Sequence, residues 1–149
     1  MPTTRTIPPE MQRQLDEVIR LCLDSVTIAE KCGSAPLHGE AEQWARLLNL
    51  CRDCADTCTC GARLCCHGSD FLFQTTAVCA EVCEACAQEC EKMAPHAGGE
   101  IASLLRKCAE TVRRCGDSCR RIARLQGDGH AWTDLPGKKE TGKGGFTSV

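Results

Sequence analysis

The segment CAEVCEACAQEC, residues 79–90, places four cysteines at successive gaps of four, three and four residues. At about 100° per residue in an α-helix, these four side chains fall within roughly 60° of one another. Cysteine therefore occupies a helical stripe that in most helices is filled by Leu or Ile facing a core. This spacing predicts a helix whose buried face is lined with thiols.

Two further segments repeat the pattern. Cys51, Cys54 and Cys58 form a second stripe, and a third contains Cys108, Cys115 and Cys119. Cys60 lies about 180° from the second stripe and is expected to point outward. Three thiol stripes on three helices indicate a helix bundle with a sulfur-lined core, which suits a soft metal.

Gly, Pro and Ser residues divide the chain into four helical segments. Their expected limits are about Pro9 to Cys32, Glu40 to His67, Ser69 (as the N-cap) to Met93, and Glu100 to Gln126. Short connections between long helices favour antiparallel neighbours, and no segment shows the alternation of a β-strand. The predicted fold is all-α: an antiparallel up-down-up-down four-helix bundle with a Cys-lined core.

The bundle is expected to occupy residues 9–127, between an N-terminal tail at 1–8 and a flexible C-terminal tail at 128–149. The C-terminal segment is rich in Gly and Lys, a composition typical of poorly ordered chain. The N-terminal residues show no apolar stretch resembling a secretion signal, so a cytoplasmic location is expected. A cytosolic protein keeps its thiols reduced, and the odd count of fifteen cysteines also argues against a disulfide scaffold.

The net charge of −2 provides no attraction to nucleic acid or to an anionic membrane surface. No run of apolar residues in the sequence is long enough to span a bilayer. We therefore expect neither nucleic acid nor a membrane as a partner. No carboxylate pair and no Ser/His/Asp set indicates catalysis, and no single cysteine is distinguished as a nucleophile. The protein is expected not to be an enzyme.

The cysteine spacing also bears on the choice of metal. Structural zinc usually takes four ligands from two short C-x-x-C knuckles, but the two C-x-x-C pairs here continue within helices. Ferredoxin spacing is absent, as is the βαβ context of a thioredoxin-like pair. Cu(I) accepts thiolates that bridge neighbouring ions, and one Cu⁺ for each thiolate gives a neutral core. Copper is favoured, with a zinc- or cluster-binding structural or regulatory helical module as the alternative.

The third-helix segment CAEVCEACAQEC (79–90) and the Arg-rich KCAETVRRCGDSCRRIA (107–123) resemble the bacterial copper storage proteins. CADTC (54–58) and GSDF (68–71) fit the same pattern, and the lack of a signal peptide resembles the cytosolic branch. The resemblance implies a four-helix bundle that stores many Cu(I) ions on core thiolates and assembles as a homotetramer. The first helix departs from the family pattern, because it carries only Cys22 and Cys32.

The predicted function is cytosolic storage and sequestration of many Cu(I) ions, for copper buffering and detoxification. The expected ligands are the cysteines of the four helices apart from Cys60: Cys22, Cys32, Cys51, Cys54, Cys58, Cys65, Cys66, Cys79, Cys83, Cys86, Cys90, Cys108, Cys115 and Cys119. Met11 and His67 fall at one end of the predicted bundle, so we expect copper to pass there. A copper chaperone or acceptor protein is a further expected partner.

Overall fold

The computed structural model describes residues 7–127, which form four α-helices. They are α1 (Pro9–Gly33), α2 (Ala41–Cys66), α3 (Leu72–Ala97) and α4 (Gly99–Gly127). The predicted all-α fold is confirmed. The C-terminal tail predicted for 128–149 and residues 1–6 of the N-terminal tail lie outside the described residues. Ile7, predicted as tail, packs partly against the core.

Each helix packs against two neighbours. α1 and α3 both pack against α2 and α4, and within residues 7–127 the backbones of the two diagonal pairs do not approach each other closely. Cys22 on α1 meets Cys115 on α4, whereas the later Cys32 meets the earlier Leu104, so these two helices are antiparallel. The same reversal relates α2 to α3 through Cys58 with Cys79 and Cys54 with Cys83. The predicted up-down-up-down bundle is thereby confirmed.

The ends of α3 differ from the prediction. Ser69 is not the N-cap: its Oγ accepts a hydrogen bond from the N–H of Phe71 at 3.1 Å, which closes a turn before the helix starts at Leu72. At the other end, α3 continues through Pro95 to Ala97. Proline has a φ that fits a helix but lacks the N–H of an ordinary residue, and the helix extends only two residues beyond it. Gly98, at φ +68°, then ends the helix in a backbone conformation that favours glycine.

Small residues allow the helices to approach closely around the thiols. At Gly116 on α4, an added Cβ would lie 3.2 Å from the Cβ of Cys83 and 3.4 Å from the Ala80 carbonyl oxygen. α3 and α4 therefore touch almost backbone to backbone at this level. None of the four helices, taken over residues 7–127, is long and apolar enough to cross a membrane.

Candidate metal centre

The four helices direct most of the cysteines into the core. Thirteen of the fifteen are buried, and the two exposed ones are Cys60 and Cys66. None of the fifteen takes part in a disulfide. Cys60 faces outward, as its position opposite the stripe predicts. The core of this bundle is therefore built from free thiols together with Leu, Val, Ile and Ala side chains.

One group of sulfurs joins all four helices. The Sγ atoms of Cys22, Cys58, Cys79 and Cys115 lie within 4.8 Å of one another. The Cys58 and Cys79 sulfurs are 3.5 Å apart, and those of Cys22 and Cys115 are 3.6 Å apart. Each helix contributes one thiol, so a metal held here would connect the whole bundle.

Two further groups continue from this one along the α2–α3 side. Cys54, Cys58 and Cys83 form one, with the Cys83 sulfur 3.7 Å from Cys58 and 4.0 Å from Cys54. Cys51, Cys86 and Cys90 form the other, again within 4.8 Å. Cys58 belongs to two groups, so its sulfur is placed to bridge two sites.

The remaining buried thiols extend both ends of this arrangement. Cys32 interacts with Cys108 and Cys51 and lies 3.8 Å from the Leu104 carbonyl oxygen. Towards the other end, the sulfur of Cys119 is 4.0 Å from that of Cys115. The sulfurs form a nearly continuous series from Cys32 to Cys119, which we call the thiol column. It consists of the buried cysteines other than Cys65: Cys22, Cys32, Cys51, Cys54, Cys58, Cys79, Cys83, Cys86, Cys90, Cys108, Cys115 and Cys119.

The geometry of the column fits a thiophilic metal. Neighbouring sulfurs lie 3.5–4.0 Å apart, a separation that one ion can span with metal–sulfur bonds of about 2.3 Å. Within residues 7–127, every group of three or more His, Cys, Asp or Glu residues whose ligand atoms lie within 4.8 Å of one another is made of cysteine alone. An all-thiolate donor set selects soft ions such as Cu(I) over ions that prefer oxygen.

Burial and mutual contact set the ionisation of the thiols. Burial raises the pKa of the Cys65 thiol to about 12, and the charges of Cys79 and Cys66 act in the same direction. Contacts with Cys115 and Cys22, together with burial, raise the pKa of Cys58. The pKa of Cys115 is instead lowered, because Cys119 and Cys22 donate hydrogen bonds to its thiolate. Most of these thiols are therefore neutral without metal, and binding an ion requires them to release protons.

The residues predicted at the copper entrance fall at one end of the bundle, where α1 begins and α2 ends. Cys65 and Met11 are buried there, whereas Cys66 and His67 are exposed. Cys66 therefore lies outside the thiol column, at the surface near its end. Its role as a ligand, like that of each predicted ligand, stays a prediction.

Ser25 is a core residue that was not among those predicted from the sequence. It is fully buried on α1, on the same helical stripe as Cys22 and Cys32. Its place in that stripe, three residues after Cys22, is the signal in the sequence that could have singled it out.

The sequence profile of the copper storage proteins matches residues 11–124, which span all four helices. This chain belongs to the copper storage protein family. The resemblance seen in the cysteine motifs is thereby confirmed. None of the curated protein sequences is similar enough to match this chain.

Solved structures of similar sequence share the fold. Apo copper storage protein 3 from Bacillus subtilis is 28% identical, with a TM-score of 0.62 over 72% of this chain and 97% of its own. The Cu(I)-bound Bacillus protein is 25% identical, with a TM-score of 0.62 over 74% and 98%. A protein from Nitrosospira multiformis is 27% identical, with a TM-score of 0.61 over 76% and 97%.

Proposed function

We propose that this protein stores many Cu(I) ions on the thiolates of its core, and so buffers and detoxifies copper in the cytosol. The observation that carries the proposal is the continuity of the thiol column, in which Cys58 belongs to two neighbouring sulfur groups. A shared sulfur lets one thiolate bridge two ions, so the column has room for a chain of ions. The family membership and the Cu(I)-bound Bacillus relative support the same cargo.

Charge balance favours copper over the alternative of a zinc- or cluster-binding module. The column is fully buried, and an uncompensated charge in such a place is costly. One Cu⁺ for each thiolate neutralises the core as it fills. Zn²⁺ at the same ratio would leave a large positive charge, and zinc at four thiolates per ion would leave each site with two negative charges.

The protein acts in this proposal by binding alone, without catalysis. The free state of all fifteen thiols supports a reducing compartment. The homotetramer implied by the family resemblance remains part of the proposal, as does delivery by, or transfer to, a copper chaperone or acceptor protein. Neither nucleic acid nor a membrane has a part in it.

Copper is proposed to enter at the end of the bundle where α1 begins and α2 ends. The exposed Cys66 and His67 would capture an ion, and the buried Cys65 and Met11 would pass it to the column. The opposite end is closed by an apolar layer in which Trp44 is buried and donates a hydrogen bond to the His38 carbonyl at 3.0 Å. Met11 and His67 bind Cu(I) more weakly than thiolates do, so they would hold an entering ion without trapping it.

Native mass spectrometry of reduced protein with excess Cu(I) or excess Zn(II), in parallel, tests the choice of cargo. Storage of copper predicts species carrying about ten or more Cu(I) ions per chain and far fewer zinc ions. Proton release into a weakly buffered solution accompanies the copper reaction. A single, tightly bound zinc ion and only one or two coppers would favour the structural module.

A further inference from the structure

Ser25 has an unusual environment for a hydroxyl group. Within residues 7–127, its Oγ is the one buried side-chain nitrogen or oxygen without a hydrogen-bond partner. The residue is 0% exposed, so bulk solvent does not reach the hydroxyl. Thr76, a second fully buried hydroxyl, instead donates to the Phe73 carbonyl at 3.0 Å. A buried hydroxyl without a hydrogen-bond partner destabilises the fold. Its presence in this core suggests that the hydroxyl has a hydrogen-bond partner in another state of the protein.

The position of Ser25 identifies that partner. Ser25 follows Cys22 by three residues and precedes Cys32 by seven, which places it on the α1 stripe facing the core. Cys22 and Cys32 both belong to the thiol column, through contacts with Cys115 and with Cys108. Ser25 therefore lies on the buried stripe of α1, at a level between these two contacts, where α1 supplies no thiol.

Copper binding would change the groups that face this hydroxyl. In the metal-free protein most thiols of the column are neutral, and a neutral thiol is a weak acceptor. Loading with Cu(I) removes their protons and leaves thiolates, and hydrogen bonds to ionised acceptors are the strong ones. Wherever bridging leaves more thiolates than ions, the cluster is anionic and gains from a nearby O–H donor.

We propose that Ser25 is a positioning residue of the copper column: in the loaded protein its hydroxyl donates a hydrogen bond to a core thiolate that binds Cu(I). This inference rests on the proposed storage function. It assigns to α1 a contribution to the copper cluster in addition to Cys22 and Cys32. It also predicts opposite effects of the hydroxyl on the two states of the protein, since the hydroxyl destabilises the metal-free core and stabilises the loaded one.

The substitution Ser25→Ala separates these two effects. We expect Ser25→Ala to raise the thermal midpoint of the metal-free protein. The rise should exceed that in Ser103→Ala, which makes the same change at an exposed position on α4 and so controls for helix propensity. Competition with a Cu(I) chelator should show about tenfold weaker binding of the ions nearest the site, with unchanged capacity. In the second control, Thr76→Val, the metal-free midpoint should fall while copper affinity is unchanged.

Ser25→Cys provides an independent test of where the side chain points. A thiol at this position should join the column and raise the capacity by about one Cu(I) per chain. Unchanged capacity in this variant would overturn the placement of the side chain beside the ions. Unchanged copper affinity in Ser25→Ala would overturn the hydrogen bond to thiolate, with the hydroxyl bonded instead to backbone or to water. Failure of the unsubstituted protein to bind several ions would instead overturn the storage function itself.

Discussion

The sulfur atoms of Cys22 and Cys115 lie 3.6 Å apart in the core, although 93 residues separate them along the chain. Cys22 belongs to the first helix and Cys115 to the last, so this contact closes the bundle. Both sulfurs also belong to the four-cysteine group that includes α2 and α3. A metal ion bound between them would be a cross-link between the two ends of the fold.

Copper loading is therefore expected to stabilise the protein. Metal–thiolate bonds form in the folded state between distant parts of the chain, so binding adds to the free energy of unfolding. Thermal unfolding followed by circular dichroism should show a large rise in Tm with copper. The rise should be smaller in Cys22→Ala/Cys115→Ala and unaffected in the surface control Cys60→Ala. An unchanged Tm on loading would place the bound copper outside the core.

Alkaline pH should destabilise the metal-free protein through Cys65. Burial raises the pKa of this thiol from an ordinary 9.0 to about 12, so the unfolded chain ionises first. Its contribution to stability is complete below pH 9 and is lost between pH 9 and 12, at about 1.4 kcal/mol per pH unit. Urea unfolding at pH 8 and pH 11 should show a smaller loss in Cys65→Ala than in the unsubstituted protein. Equal losses in the two proteins would mean that the Cys65 thiol is not buried in the fold.

The close contact of α3 and α4 predicts opposite effects for two glycine substitutions. In Gly116→Ala the new methyl meets the Cys83 Cβ at 3.2 Å, and the crowding should outweigh the gain in helix propensity, lowering stability by about 1 kcal/mol. In Gly61→Ala the nearest atom is the Cys22 sulfur at an ordinary 3.6 Å, so stability should rise by about 0.8 kcal/mol. Chemical denaturation of the metal-free variants measures both. If Gly116→Ala stabilised the protein, α3 and α4 would have to be farther apart than the 3.2 Å contact at Cys83 implies.

The proposed entrance predicts an effect on rates without an effect on capacity. In His67→Ala/Met11→Leu, Cu(I) uptake from a chelate and removal by a chelator should both slow, because weak ligands at the open end are lost. The matched control is His96→Ala, since His96 is also exposed but lies at the opposite end of the bundle. Stopped-flow absorbance of the two variants gives the comparison. Equal rates in the two would locate the entrance elsewhere.

The cysteine spacing was sufficient to predict most of the fold, because a stripe on one helix face fixes both the helix and its buried side. It placed thirteen of the fourteen expected ligands in the core and Cys60 outside it. The spacing did not place Cys66 correctly. Cys66 is the last residue of α2 and directly follows the buried Cys65. Because adjacent residues of a helix point about 100° apart, the two thiols cannot both face the core.

Other features depend on contacts that periodicity does not contain. Whether Ser69 caps α3 or closes a turn depends on which N–H its hydroxyl reaches, and the structure pairs it with Phe71. The pairing of Cys22 with Cys115 depends on the relative height of two helices, which is set by packing across the bundle. The missing partner of Ser25 appears only when every neighbouring atom is in place.

The most direct test of the storage account is a titration of fully reduced protein with Cu(I) in competition with a chelator of known affinity. The account predicts that each chain takes up about ten to fifteen ions before the Cu(I)–chelator complex accumulates. The reason is that bridging thiolates allow roughly one ion per core sulfur. Saturation at one or two ions per chain would contradict it.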